Sequence, residues 1–434
     1  MRRLALIALG MACGTAALTA ADWPQWRGPS RTGISAETGL VREWPAGGPR
    51  LVWRVDNVGD GYSTPSVVGD RLYLVVNEGL ENEYVRALNV ADGKAAWSTR
   101  IGRVGNPDQQ PAYPGARSTP TIDGDALYAL GSDGDLVALD LKTGAVRWKK
   151  HLRTDFGGVP GTWAYSESPL VDGEKLVVTP GGKTPLVALN KRTGAVIWRA
   201  VATGGLLSTL FGSEPAGYSS VAVAQVGNVR QYVTFLDKGL VAVDANTGAL
   251  LWRDDRTAQG SAANIPTPVV DSSGIVYHST AQIGGAAVRV AVNQGKVTTQ
   301  PLYAEKRLPG ANGGSVLLGG TMYGTNTASL MAVDFATGAV KWQARGIGTA
   351  SIAVADGLLF LHGENGDVAM VEPSPTAYRE KGRFTPPNQP QRRGGGAPTG
   401  PSQAWAHPVV ANGRLYIRDL NTMWAYDVRA TAAR

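Results

Sequence analysis

Short apolar runs of strand length alternate along this chain with breaks made of Gly, Asp, Asn and Thr. The stretch "STPTIDGDALYALGSDGDLVALDLKTGAVRW" (118–148) shows the pattern most clearly: four runs, parted by "DGD", "SDGD" and "KTG". Breaks of this composition supply the positive φ that tight hairpins need, and no window holds a helical period, so the unit predicts a four-stranded antiparallel meander. It recurs. Aligning on the Asp or Asn after each third run gives Asn89, Asp140, Asn190, Asp244, Asn293 and Asp334, with weaker copies at Glu372 and Asp427, spaced about 38 to 55 residues apart. Eight repeats in that range predict an all-β, eight-bladed β-propeller spanning 49–428.

Three further regularities fit a closed ring. Trp97, Trp148, Trp198, Trp252 and Trp342 each follow a Gly by four residues, which places an indole on five of the outer strands, where diverging blades leave a wedge to fill. Pro65, Pro120, Pro169, Pro268 and Pro408 each open the first strand of a unit, a position that tolerates a missing N–H only at a sheet edge lining a channel. The last unit stops after three strands, and the missing outer strand, with its tryptophan Trp53, stands alone at 48–56. The N-terminal strand is therefore expected to close the C-terminal blade. Residues 22–48, with Trp23, Trp26 and Trp44 among Pro and Gly, are expected to form an extended arm across the blades, and 386–403 a flexible inter-blade loop.

Composition changes the picture little. Residues 1–21 carry Arg2 and Arg3, an apolar run and small residues before Ala20 and Ala21, the pattern of a secretory signal peptide, so an exported, periplasmic or envelope-associated protein is expected. Cys13, the sole cysteine, lies in that leader, and Gly10 stands where a lipoprotein signal wants an apolar residue, a weak case for a lipid anchor. No transmembrane segment is predicted. The formal charge of +7 is scattered, without a basic run, which argues against nucleic acid. The four histidines, His151, His278, His362 and His407, lack metal-ligand spacing, so no metal site is expected.

The phrase Ala-Leu-Asp-x-x-Thr-Gly-x-x-x-Trp, clearest at 138–148, 188–198 and 332–342, resembles the tryptophan-docking repeat of the PQQ-like (pyrroloquinoline quinone) propellers. The same repeat is similar to that of the BamB-like propellers of the outer-membrane barrel-assembly machinery, which hold no quinone. The first resemblance implies PQQ in the channel mouth beneath a vicinal disulfide, with calcium ligands and a catalytic Asp, but after the leader no cysteine remains. No cofactor is therefore expected.

A ligand would meet the chain where the innermost strands begin, because loops from every blade converge there. Those positions hold Tyr62, Arg117, Trp163, Tyr165, Glu167 and Tyr218, and, further on, Asn264, Asn312, Trp405 and His407. Alternatively, the aromatics only cap the core and Arg117 pairs with Glu167 across adjacent blades. The functional expectation is a non-enzymatic, monomeric binding or assembly scaffold for protein or cell-envelope partners, with no catalytic residue assigned. The alternative is a PQQ- and calcium-dependent dehydrogenase acting on alcohols or sugars, with Arg117, Glu167, Asn264 and Trp405 as cofactor contacts.

Overall fold

The computed structural model describes residues 21–108, 115–200, 214–258, 263–390 and 403–430. The leader, Cys13 and most of the 386–403 loop lie outside them. The described residues form eight four-stranded antiparallel sheets, each in simple meander order except the last. These are blade 1 (66–103), blade 2 (121–151), blade 3 (170–200), blade 4 (222–254), blade 5 (269–305), blade 6 (315–344), blade 7 (350–384) and blade 8 (409–427). Blade 8 takes its outer strand from Arg50–Val55, the closure the sequence predicts, and this strand pairs with Thr422–Asp427 with Trp53 opposite Ala425 and Val55 opposite Met423. Each proline singled out above directly precedes an innermost strand. The described residues contain one short helix, Leu152–Phe156, and no helix long and apolar enough to cross a membrane.

The core is divided. Eight apolar clusters lie one between each neighbouring pair of blades, including the pair that shuts the ring, where Trp53, Tyr416 and Met423 of blade 8 cluster with Leu72 and Leu88 of blade 1. Blade-to-blade docking follows one rule. In blades 2, 3, 4 and 6 the Asp or Asn that opens the outer hairpin accepts the amide of the Thr three residues on, as Asp140 does from Thr143 at 2.9 Å, and the next residue is Gly with positive φ; blade 1 carries Asp92 and Gly93 in those places. That turn receives the preceding blade's indole: Trp53 donates to the Val90 carbonyl at 2.8 Å, Trp148 to Lys191 at 3.0 Å and Trp198 to Ala245 at 3.2 Å. Only a glycine fits beneath the ring. A Cβ on Gly248, at φ +74°, would lie 2.5 Å from the Trp198 ring. Gly248→Ala is therefore expected to cost about 2–4 kcal/mol, the left-handed backbone penalty plus overpacking, and chemical denaturation should show it.

Two departures correct the wedge reading. Trp97, Trp148 and Trp342 are half-buried rather than sealed, whereas Trp53, Trp198 and Trp252 are buried. Trp252 clusters with Val276 and Val288 of blade 5, but its N–H bonds Gln231 of its own blade, because blade 5 closes its outer hairpin with the tight turn Gln294–Gly295 and has no Thr-Gly turn to dock on. Blade 5 in turn uses Tyr303, whose hydroxyl donates to the Phe335 carbonyl at 2.9 Å over Gly338.

The arm takes a path the sequence does not show. Residues 22–37 run along the inner strands of the channel. Trp23 bridges Val67 of blade 1, and the Pro24 carbonyl accepts from Ile122 of blade 2. Arg31 reaches blades 3 and 4, Trp26 reaches Thr267 beside blade 5, Arg27 reaches Ser315 of blade 6, Ile34 bridges Val354 of blade 7, and Ser35 donates to Val410 of blade 8. The arm plugs the channel, and Trp44 then packs at 5.3 Å on Phe384 in the core between blades 7 and 8.

Candidate functional site

Above the plug, the loops feeding the innermost strands enclose a cavity of about 320 Å³. Seven of the ten residues expected there line it: Tyr62, Arg117, Trp163, Tyr218, Asn312, Trp405 and His407. Tyr165, Glu167 and Asn264 do not. The strand alternation decides between them, because it continues into the loops. Tyr62, Arg117, Ser166, Tyr218 and Trp405 stand four residues before their strands and face the mouth, whereas Glu167 stands three before and Tyr165 and Asn264 five before, turned into the walls. There the Tyr165 hydroxyl donates to Pro180, and the Asn264 amide to Leu236 and Asp237.

Glu167 does not pair with Arg117. One of its oxygens accepts the Thr179 amide, the other has no partner among the described residues, and the charge it feels is that of Arg31 in the plug. Arg117 instead donates to the Trp163 carbonyl at 2.7 Å and lies near Glu83, whose carboxylate accepts the Ser132 amide and hydroxyl, both at 2.6 Å. Burial pushes both Glu83 and Glu167 up from 4.5 to about 7. Between pH 4.5 and 7 the folded protein therefore holds more protons at these sites than the unfolded chain, and stability falls as pH rises through that window. Glu83→Gln and Glu167→Gln are each expected to flatten the decline, measured as denaturation midpoint against pH.

The mouth contains two features that the sequence reading missed. The first is Trp26, which forms the floor: its ring meets His407 edge-on at 4.6 Å, and its N–H donates to Thr267 at 2.8 Å. The second is a belt of hydroxyls and amides around the throat. The Thr119 amide donates to the Ser168 hydroxyl, the Ser168 amide to Ser220, and the His407 amide to Thr64, each bond tying one blade to the next. A signal for it exists, since Thr64, Thr119, Ser168, Thr267 and His407 all immediately precede a proline. Burial lowers His407 to about 3, so its ring is neutral.

The other histidines lie apart from the mouth cavity's lining. His278 accepts or donates to Thr257 at 2.7 Å and meets Asp254 at 3.1 Å, a hydroxyl–imidazole–carboxylate line that sequence spacing concealed. Thr257 and His278 are each 1% exposed, so this line ties blade 4 to blade 5 and offers no nucleophile to a substrate. His362 bonds the Ala406 carbonyl. His151 comes together with Asp133 and Asp135, ligand atoms within 4.8 Å, contrary to the expectation from spacing, but Lys149 at 2.8 Å and Arg153 at 3.2 Å already neutralise the two carboxylates.

The quinone fits this lining poorly. Its three carboxylates would meet one guanidinium, that of Arg117, and calcium needs oxygen ligands that no carboxylate among the described lining residues supplies. Of the four contacts assigned to it, only Arg117 and Trp405 reach the mouth.

Comparison with known proteins bears on the whole ring. Over 243 residues the chain is 25% identical to the tetrathionate hydrolase of Acidithiobacillus ferrooxidans, covering 50% of this chain and 44% of that protein. Over 122 residues it is 28% identical to the outer membrane protein assembly factor BamB of Salmonella typhimurium, 28% of each chain. The matches thus span less than half the length of these relatives. In structure it matches BamB from Moraxella catarrhalis, with a TM-score of 0.59 at 15% identity over 88% of this chain and 99% of that one. A europium-containing methanol dehydrogenase matches with a TM-score of 0.63 at 13% identity, over 92% and 89%. At such identities these two likenesses show the fold alone. The family model described as outer membrane protein assembly factor BamB matches residues 31–163 and 162–344, most of the chain, and on that match the protein belongs to the BamB family of PQQ-like repeat propellers.

Proposed function

We propose that this protein is an exported, non-enzymatic propeller that serves as an assembly scaffold for a protein partner in the cell envelope, as the name of its family indicates. The observation that carries this reading is the family match across 31–344, which takes in six blades and part of the plug. The architecture suits the role: eight inter-blade cores and a filled channel make a rigid ring, and a rigid platform loses little entropy when it docks. The reading requires no resident quinone.

The test is crosslinking in envelopes of a bacterium expressing the tagged protein at native level, followed by identification of captured proteins. Recovery of outer-membrane barrel-assembly components supports the reading. Capture of none, together with quinone retained through gel filtration and dye reduction with alcohols or aldoses, would overturn it in favour of the dehydrogenase that the methanol dehydrogenase fold likeness keeps in view.

A further inference from the structure

We propose that Glu37 receives a new N-terminus: the chain is cleaved between Ala20 and Ala21 on export, and the α-ammonium so formed pairs with the Glu37 carboxylate and locks the plug. This rests on the exported reading above, since only removal of the leader frees that nitrogen.

The arm touches all eight blades in turn, and its two ends meet. The Ala21 N–H donates to Glu37 Oε1 at 2.7 Å, across 16 residues of chain. Each end is fixed independently of the other. Trp23 exchanges two main-chain bonds with Val67, at 2.7 and 2.8 Å, and the Asp22 side chain accepts the Gly69 amide at 2.9 Å, both in blade 1. The Glu37 carbonyl accepts the Asp356 amide of blade 7 at 3.1 Å, and its Oε2 accepts the Gly413 amide of blade 8, also at 3.1 Å. Gly69, Asp356 and Gly413 stand in the first hairpins of their blades, where the innermost strands end. The contact therefore lies at the channel end opposite the mouth, beside the joint that closes the ring.

Glu37 lacks the charge its burial calls for. It is 2% exposed, its side chain accepts two main-chain amides, and no ion pair reaches it among the described residues. The arginines around the Gly413 turn are engaged elsewhere, Arg414 with the Val90 carbonyl and Arg429 with Asp427 at 2.7 Å. A carboxylate taken out of water is costly without a cation.

Hydrolysis of the Ala20–Ala21 peptide by the envelope's signal peptidase supplies one at the atom already in place. Water gives its oxygen to the Ala20 carbonyl carbon, which leaves with the leader as a carboxylate, and both its protons to the Ala21 nitrogen, which is charged at neutral pH. The leader offers a second bond with a small residue before it, after Ala21. Cleavage there would delete the N–H that Glu37 accepts and leave the carboxylate with a single amide.

Two measurements test this. The first is the mass of the tagged protein recovered from bacterial envelopes, expected to begin at Ala21. The second compares melting of chains released from a fusion that leaves no extra residue, one beginning at Ala21 and one at Ala17, whose ammonium stands four residues away, each with and without Glu37→Gln. The Ala21 chain should melt about 4 °C above the Ala17 chain, and Glu37→Gln should abolish the difference. Equal melts of the two starts, a difference that survives Glu37→Gln, or an exported chain beginning at any other residue, a lipidated Cys13 included, overturns the proposal and leaves the exported scaffold standing. Protein kept inside the cell with its leader overturns both.

Discussion

Deleting the strand Arg50–Val55 is expected to lower the melting temperature by about 10 °C or more, the largest fall of any single-element removal from the outer rim. The strand forms five registered pairs with Thr422–Asp427, and its ladder bonds contribute about 1 kcal/mol each. Trp53, 8% exposed, adds about 2–3 kcal/mol by burial and holds its N–H on the Val90 carbonyl of blade 1. Its loss therefore opens the joint between the first and last blades as well as stripping an edge. Joining the ends of a chain this long costs about 5 kcal/mol of loop entropy, but deletion does not recover that term. The plug and the Leu40–Arg429 bridge still bring the ends together. Deletion also bares the Thr422–Asp427 edge to pairing with other chains, so aggregation on heating should accompany the lower melt. Trp53→Ala isolates the indole and should reproduce about 3 kcal/mol of the loss. A melt unchanged by the deletion would show that the ring does not depend on this closure.

The blades, their number, the docking indoles and the closing strand were legible because each repeats, and repetition turns a weak local signal into a period. What stayed hidden does not repeat. Tyr303 takes a tryptophan's place in blade 5, whose outer hairpin lacks Thr-Gly, so a search on the phrase passes over it. The plug is irregular backbone whose route is set by arginines bonding carbonyls far away in sequence, as Arg31 does with Pro169 and Val221. At the mouth, the converging loops were identifiable but their side-chain parity was not. Glu167 and Ser168 are neighbours, yet one turns into the wall and the other into the cavity. Counting back in twos from the strand that each proline announces separates most of these residues. Asn312, three before its strand and followed by Gly313 and Gly314, breaks that parity.

Arg31→Ala is expected to cost about 3–5 kcal/mol, the most damaging side-chain change in the plug. Arg31 is 7% exposed and its guanidinium donates to four acceptors: Val221 at 3.0 Å, Ser168 at 3.0 Å, Pro169 at 3.1 Å and the Gln25 side chain at 3.2 Å. Three of these are main-chain carbonyls at the innermost strands of blades 3 and 4, and alanine would leave them buried and unpaired at about 1–3 kcal/mol each. Burial already lowers Arg31 to about 9, which leaves it charged at neutral pH and shows how far the site depends on those bonds to hold a cation away from water. Glu167 would lose the positive charge that partly offsets its own burial, so its carboxyl should move further above 7 in the variant. The consequence reaches the mouth. Trp26 sits five residues before Arg31 and is held there by one hydrogen bond to Thr267, so release of the plug should remove the cavity floor. Three measurements should move together: a lower denaturation midpoint, faster proteolysis within 22–48, and a change in Trp26 emission. Arg31→Lys keeps the charge but replaces a planar fork with a single head that cannot span two blades, and should recover less than half of the stability. If Arg31→Ala melts with the parent and its arm resists protease equally, the guanidinium does not anchor the plug, and the arm is held by its other contacts, among them those of Trp23, Arg27, Ile34 and Ser35.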